Sequence, residues 1–158
     1  MKKDWLFKDE DFICNFRSAG ILIKNNKILL QREKNGSEYA LLGGHVKIGE
    51  SSSDALIREF KEETDADIIC TKLIWTEECF WNWNGKKANT ITFYYLVNLC
   101  ENSSIPNLGE FFPQKDNCNV VLGWISLDKL KNLTVYPSFL KEKIFNINNY
   151  TEHFITKE

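Results

Sequence analysis

Apolar and polar positions along the chain alternate in two different rhythms, and the change of rhythm marks the elements. From Phe12 to Glu33 the pattern reads as a hairpin, with strands from Phe16 to Ile23 and from Ile28 to Arg32 joined by Lys24-Asn25-Asn26-Lys27. Asn-Asn suits a two-residue turn whose central residues need positive φ. Residues 34–38 (KNGSE) form a loop, and Tyr39-Ala40-Leu41-Leu42 leads into the paired glycines Gly43 and Gly44. Ile68 to Trp75 and Glu77 to Trp83 are two further strand candidates, and Asn84-Gly85 is the strongest hairpin signal in the chain. The return strand, Ala88 to Leu99, is apolar almost throughout, which suits a central position in a sheet. Val120 to Ile125 reads as one more strand, Ser126 to Leu130 as a helical turn, and Pro137 to Asn146 as a terminal helix opened by proline.

Between the glycines and Ile68 the period changes to that of a helix. Ser51 is placed to cap it, with Asp54 three residues on. At about 100° per residue, Glu59, Glu62 and Glu63 share one face. Leu56, Ile57 and Phe60 are expected on another, and Ala55 falls within the acidic stripe, where a small side chain admits a close neighbour. Strands around one central helix, with a second helix near the C-terminus, predict an α/β/α sandwich built on a mixed sheet. Residues 1–158 are expected to form a single domain, with residues 1–11 a loosely held lead-in and residues 147–158, including His153, a tail. The polar stretch 101–119 is the longest loop, of a length that often serves as a lid or binding loop.

The chain has 158 residues, 43% of them hydrophobic, including eleven Phe, five Tyr and five Trp, which is enough to bury a sizeable core. A net charge of −2 gives no footprint for nucleic acid. Cys14, Cys70, Cys79, Cys100 and Cys118 are scattered and odd in number, which argues against a disulfide framework or a zinc site and for free thiols in a reducing compartment. With no apolar run of signal or membrane-spanning length, the expectation is a cytoplasmic protein without membrane contact.

Three like charges on adjacent turns destabilise a bare helix. A hard divalent cation would compensate them, and Mg²⁺ binds through a few carboxylates together with substrate phosphates. Taken alone, the same glutamates also suit a solvated acidic face. The wider spacing decides between the two: Gly44, five residues, Glu50, seven residues, then Arg58-Glu59-Phe60-Lys61-Glu62-Glu63. This pattern resembles the Nudix box of the Nudix (MutT-like) hydrolases. It departs from the family form at Asp65, where the family carries glycine, at the small Ala66, and at Leu42, where many members carry proline. Asp tolerates the left-handed conformation that glycine would adopt there, at a cost of about 1 kcal/mol.

The resemblance implies a Nudix fold and hydrolysis of a phosphoanhydride in a nucleoside diphosphate linked to another group (a nucleoside triphosphate, a sugar nucleotide or a related dinucleotide), releasing a nucleoside monophosphate or its equivalent, with Mg²⁺ or Mn²⁺. Position by position, Glu59, Glu62, Glu63 and the Gly44 carbonyl become metal ligands, Glu50 and Arg58 a supporting ion pair, and Glu62 or Glu59 the general base. Many relatives add an acid on the strand before a Trp such as Trp124. Here Val120-Val121-Leu122-Gly123 offers none, leaving Glu77, Glu78, Glu110 and Asp116 as candidates. Arg17 and Arg32 are candidates to contact phosphate; Trp81 and Phe112 are candidates to stack on a base, although Trp81 and Trp83 also suit a cross-strand pair. His45 lies close behind the glycines but reads as an exposed loop residue. The alternative from another class is a catalytically weak Nudix domain that senses a nucleotide metabolite or binds a partner, and by resemblance a homodimer is expected. A calcium module is disfavoured, because no Asp-rich loop is present.

Overall fold

The computed structural model describes residues 2–158. In chain order the strands are β1 (Leu6–Lys8), β2 (Phe12–Ile21), β3 (Ile23–Lys24), β4 (Lys27–Glu33), β5 (Glu38–Ala40) and β6 (Leu42–His45). The helix α1 (Ser52–Thr64) follows, then the long strands β7 (Ile68–Trp83) and β8 (Lys86–Leu99). The remainder comprises β9 (Phe112–Pro113), β10 (Val120–Ser126), a 3₁₀ turn (Leu127–Asn132), β11 (Thr134–Tyr136), α2 (Leu140–Lys143) and β12 (Glu152–Lys157).

Two mixed sheets result. The first runs β1-β2-β8-β7-β12, with β6 sharing the β1 edge of β2; the second runs β11-β5-β4-β10-β9, with β3 on β4. The turns legible in the sequence form as expected: Asn25 and Asn26 hold φ of 51° and 59°, and Asn84-Gly85 joins β7 to β8 with φ of 51° and 82°. β8 is central, flanked by β2 and β7.

Four expectations are corrected. β2 and β4 are not one hairpin: only Ile23–Lys24 folds back on Ile28 and Lys27, while β2 pairs in parallel with β8 in the other sheet. The two strand candidates before Asn84 are one sixteen-residue strand, which absorbs its irregularities as register shifts at Cys70/Lys72 and Leu73/Trp75. The terminal helix shrinks to the single turn α2, Leu140–Lys143, whose N-cap Phe139 makes no side-chain capping bond. Finally, the lead-in and the tail are both paired. β1 lies on β2, and β12 adds in parallel to β7, with His153 hydrogen-bonded to Thr76 and Glu78.

The mixed α/β architecture around one central helix holds. Buried strands alternate between two apolar clusters: Ile28 and Leu30 enter one with Trp75, Tyr94 and Leu140, whereas Leu29 enters the other with Leu56 and Phe60 of α1. No described helix is long and apolar enough to cross a membrane.

Candidate functional site

Helix α1 is anchored at both ends by local chemistry. The Ser51 hydroxyl accepts from the Asp54 amide at 3.1 Å, capping the first turn. Asp65 leaves the last turn in the left-handed region at φ 61°, where the family pattern has glycine, and Lys61 donates to its carbonyl oxygen at 3.0 Å. Ala55, Leu56 and Phe60 are buried, but Ile57, one step of 100° further round, reaches the rim and is 37% exposed. The apolar stripe is therefore narrower than its sequence suggests.

The paired glycines bring β6 against this helix. Gly43 has φ 149°, and a side chain there would strike the backbone of Ser18 and Ala19. At Gly44 a Cβ would collide with the Glu59 carboxylate, so only glycine lets that carboxylate lie flat on the strand.

Arg58 is the hub of the site. Its Nε and Nη2 donate to the two oxygens of Glu50 at 2.9 and 3.1 Å, a bidentate pair, and Nη2 also donates to the His45 carbonyl oxygen at 3.1 Å. Its Nη1 donates to Glu59 at 2.6 Å and Glu62 at 3.1 Å. The Arg58 hydrogen bond holds the Glu50 carboxyl below the usual carboxylate range, helped by the Lys47 amide. Glu50 and Arg58 thus form the expected pair, and Arg58 further gathers two of the three acidic side chains expected to hold metal.

Glu63 differs from its neighbours. It is 6% exposed, and its Oε2 is buried without a hydrogen-bond partner. Burial above all, reinforced by Glu59 and Asp116, pushes its carboxyl up to about 9, and burial also raises that of Glu59. Among the described residues no three His, Cys, Asp or Glu side chains already converge on one point. Arg58 takes up oxygens of both Glu59 and Glu62. A divalent cation nevertheless fits the donor set: Glu63 presents a buried carboxylate oxygen with no partner, flanked by two more carboxylates. Such oxygens suit Mg²⁺ or Mn²⁺.

Of the expected substrate contacts, two are brought to the site and two are not. Arg17 stands opposite His45 across β2 and β6, donates to the Gly43 carbonyl oxygen at 3.5 Å, and exerts its charge on Glu59 and Glu63. Trp81 lines an adjoining cleft of about 640 Å³ and stacks on Trp83 at 5.7 Å. Arg32 instead donates to the carbonyls of Glu33, Lys34 and Gly36 and lies over Phe111, so it ties down its own loop. Phe112 packs into the apolar cluster under α1.

His45 is partly buried rather than exposed, its pKa lowered by burial and by Arg17. Of the acids considered outside the box, Asp116 acts on Glu63 electrostatically, from a loop whose Lys115 amide donates to the Glu63 carbonyl oxygen at 2.8 Å. Glu77 lies on the floor of the cleft. Asn15, Tyr94, Thr156 and Glu158 also line or support that cleft; nothing in the chain order marks them, although strand alternation places Glu77 with Cys79 and Trp81 on one face.

A 48-residue stretch is 50% identical to an ADP-ribose pyrophosphatase of Methanocaldococcus jannaschii, and that stretch is 28% of each chain. Among solved structures, the MutT protein of Bacillus halodurans superposes with a TM-score of 0.67 at 15% identity, over 89% of each chain. An ADP-ribose pyrophosphatase of Streptococcus suis superposes with 0.57 at 20% identity, over 89% of this chain and 98% of that one. At such identities the likeness is one of fold. A model of the NUDIX domain matches residues 15–144, most of the chain, and on that match the protein belongs to the NUDIX family.

Proposed function

We propose that the chain is a metal-dependent pyrophosphohydrolase that cleaves a phosphoanhydride in a nucleoside diphosphate linked to another group, releasing a nucleoside monophosphate or its equivalent. The observation that carries this is Glu63: a buried carboxyl with an unpartnered oxygen, set beside Glu59 and Glu62 and linked through Arg17 to a nucleotide-sized cleft that Arg17 lines. The pyrophosphatase relatives support the same reaction class.

Glu59, Glu62, Glu63 and the Gly44 carbonyl are the groups that would hold Mg²⁺ or Mn²⁺. Bound there, the cation supplies charge neutralisation at the phosphate oxygens. Arg58, fixed by Glu50, orients the Glu59 and Glu62 carboxylates. Arg17 offers its guanidinium to a phosphate at the mouth of the cleft. Glu62, the most exposed of the three acids at 44%, is reachable by the attacking water and, with Glu59, is the candidate to accept its proton.

The experiment is turnover against a panel of nucleoside triphosphates, sugar nucleotides and dinucleotides with Mg²⁺, resolving the products by chromatography. Monophosphate release by the wild type, reduced at least about a hundredfold in Glu62→Gln, is expected. An inert wild type that still binds members of the panel would favour the nucleotide-sensing alternative, which the hold of Arg58 on Glu59 and Glu62 keeps open.

A further inference from the structure

The cleft beside the carboxylates has a floor unlike that of an apolar core. Four strands lie side by side, and their alternation sets two polar rows on one face. One row is Asn15, Thr90, Cys79 and Thr156; the next is Arg17, Thr92 and Glu77. Asn15, Thr90, Thr92 and Glu77 are each at least 93% buried. Asn15 lines the cavity with an Oδ1 that has no hydrogen-bond partner. Most buried polar atoms in folded proteins find partners, and this one, in a residue that lines the cavity, has an acceptor capacity left over.

Glu77 is held with unusual care. Its Oε2 accepts from the Tyr94 hydroxyl at 2.5 Å and its Oε1 from the Thr156 hydroxyl at 2.6 Å. Burial, then the charge of Glu77, keeps the Tyr94 phenol protonated, hence a donor. No ion pair neutralises Glu77 among the described residues, and the rest of the lining adds Glu33, Glu38 and Glu158. The floor is therefore rich in acceptors, and its one cation, Arg17, lies at the end beside Gly43 and α1. Trp81, locked by its Nε1 donating to Thr90 at 3.0 Å and by its stack on Trp83, supplies a flat wall.

An occupant that matches this cleft carries an anionic group at one end and, at the other, a flat ring whose edge donates hydrogen bonds. We propose that Glu77, positioned by Tyr94 and Thr156, makes the cleft selective for a guanine-type base, whose adjacent N1–H and 2-amino groups donate together to one carboxylate. Uracil offers a single N–H between two carbonyls, which would face the acceptors unfavourably; adenine offers one amino group beside an acceptor nitrogen. β12, which supplies Thr156, lies beyond the family-matched residues 15–144, whereas Asn15, Glu77, Trp81 and Tyr94 lie within them.

The proposal takes its phosphate end from the function proposed above, and its test is kept independent of turnover. GMP, IMP and UMP are titrated calorimetrically into the full chain without metal. GMP is expected to bind at least about tenfold tighter than IMP, which lacks the 2-amino group, and tighter still than UMP. In Glu77→Gln and in Thr156→Val the GMP-to-IMP ratio should fall below about threefold; the second variant serves where the first fails to fold. Equal binding of the three, failure of all three to bind, or a preference undiminished in Thr156→Val overturns the assignment. Hydrolysis of guanine and uracil nucleotides at equal rates would sink the selectivity and leave the hydrolase. Selective binding without hydrolysis would do the reverse.

Discussion

Replacing Glu63 by glutamine should stabilise the metal-free protein while weakening its response to metal. An unfolded Glu63 titrates near 4.5, whereas the buried one is pushed up to about 9. The sign follows from proton uptake: between those values the folded state holds a proton that the unfolded state has lost. Stability is therefore fully present below pH 4.5 and falls as pH rises towards 9. At pH 7 the two and a half units above 4.5, at 1.36 kcal/mol each, come to about 3 kcal/mol. Glutamine keeps the shape and removes the titration, so Glu63→Gln in EDTA should gain about 1–3 kcal/mol at pH 7. For a chain of this length each kcal/mol raises Tm by about 2–4 °C. The assay is thermal unfolding from pH 5 to 9, with EDTA and with excess Mg²⁺. The wild type should lose stability with rising pH in EDTA and regain it with Mg²⁺, by about 2.7 kcal/mol at a hundred times Kd. In the variant both effects should shrink, the remaining pH slope coming from Glu59, whose carboxyl burial also raises. A variant no more stable than wild type at pH 7, with the same pH slope, would refute the account of Glu63 as a buried acid that keeps its proton for want of a counter-charge.

Other substitutions probe the frame around that group. Gly44→Ala forces the Glu59 carboxylate off β6, and kcat/KM should fall at least about tenfold with an overpacking cost of about 1–3 kcal/mol; full activity would show that the close approach is dispensable. Phe60→Ala empties a fully buried position that packs against Gly20 and should cost about 3–5 kcal/mol in urea unfolding, a loss below 1 kcal/mol contradicting the packing described. Asp65→Gly relieves the left-handed residue at the end of α1 and should raise stability by up to about 1 kcal/mol, since the exposed Lys61 pair it removes is worth little. A lower Tm would show that the lysine contacts outweigh the backbone strain.

The parts of this molecule legible in its sequence are those whose determinants lie within a few residues of one another. The Ser51 cap, the αL residue Asp65, the Asn25-Asn26 and Asn84-Gly85 turns and the gathering of Glu59 and Glu62 on Arg58 all follow from local spacing. What escaped depends on pairing across the chain. Thr156 meets Glu77 only because β12 adds to β7 from nearly eighty residues away, and nothing within the short stretch Glu152 to Lys157 names the strand it will join. Arg32 looked free to reach a phosphate until the loop after β4 folded back to collect its donors. Ile57 shows the limit within a helix: periodicity names a face, but what packs against the helix decides where that face ends, and Ile57 is left 37% exposed.

β2 pairs in parallel with β8, joining Arg17 to Thr92 across some seventy-five positions, and then passes into the other sheet at Ile23. Contacts so distant along the chain close late and slow the search for the native state. The cleft that Arg17 borders is lined from both sheets, by Thr92 and Glu77 of one and by Gln31 and Glu38 of the other, so it assembles only when the two are joined. Ligand recognition and the global transition should therefore vanish at one denaturant concentration, with no binding-competent fragment surviving either sheet alone.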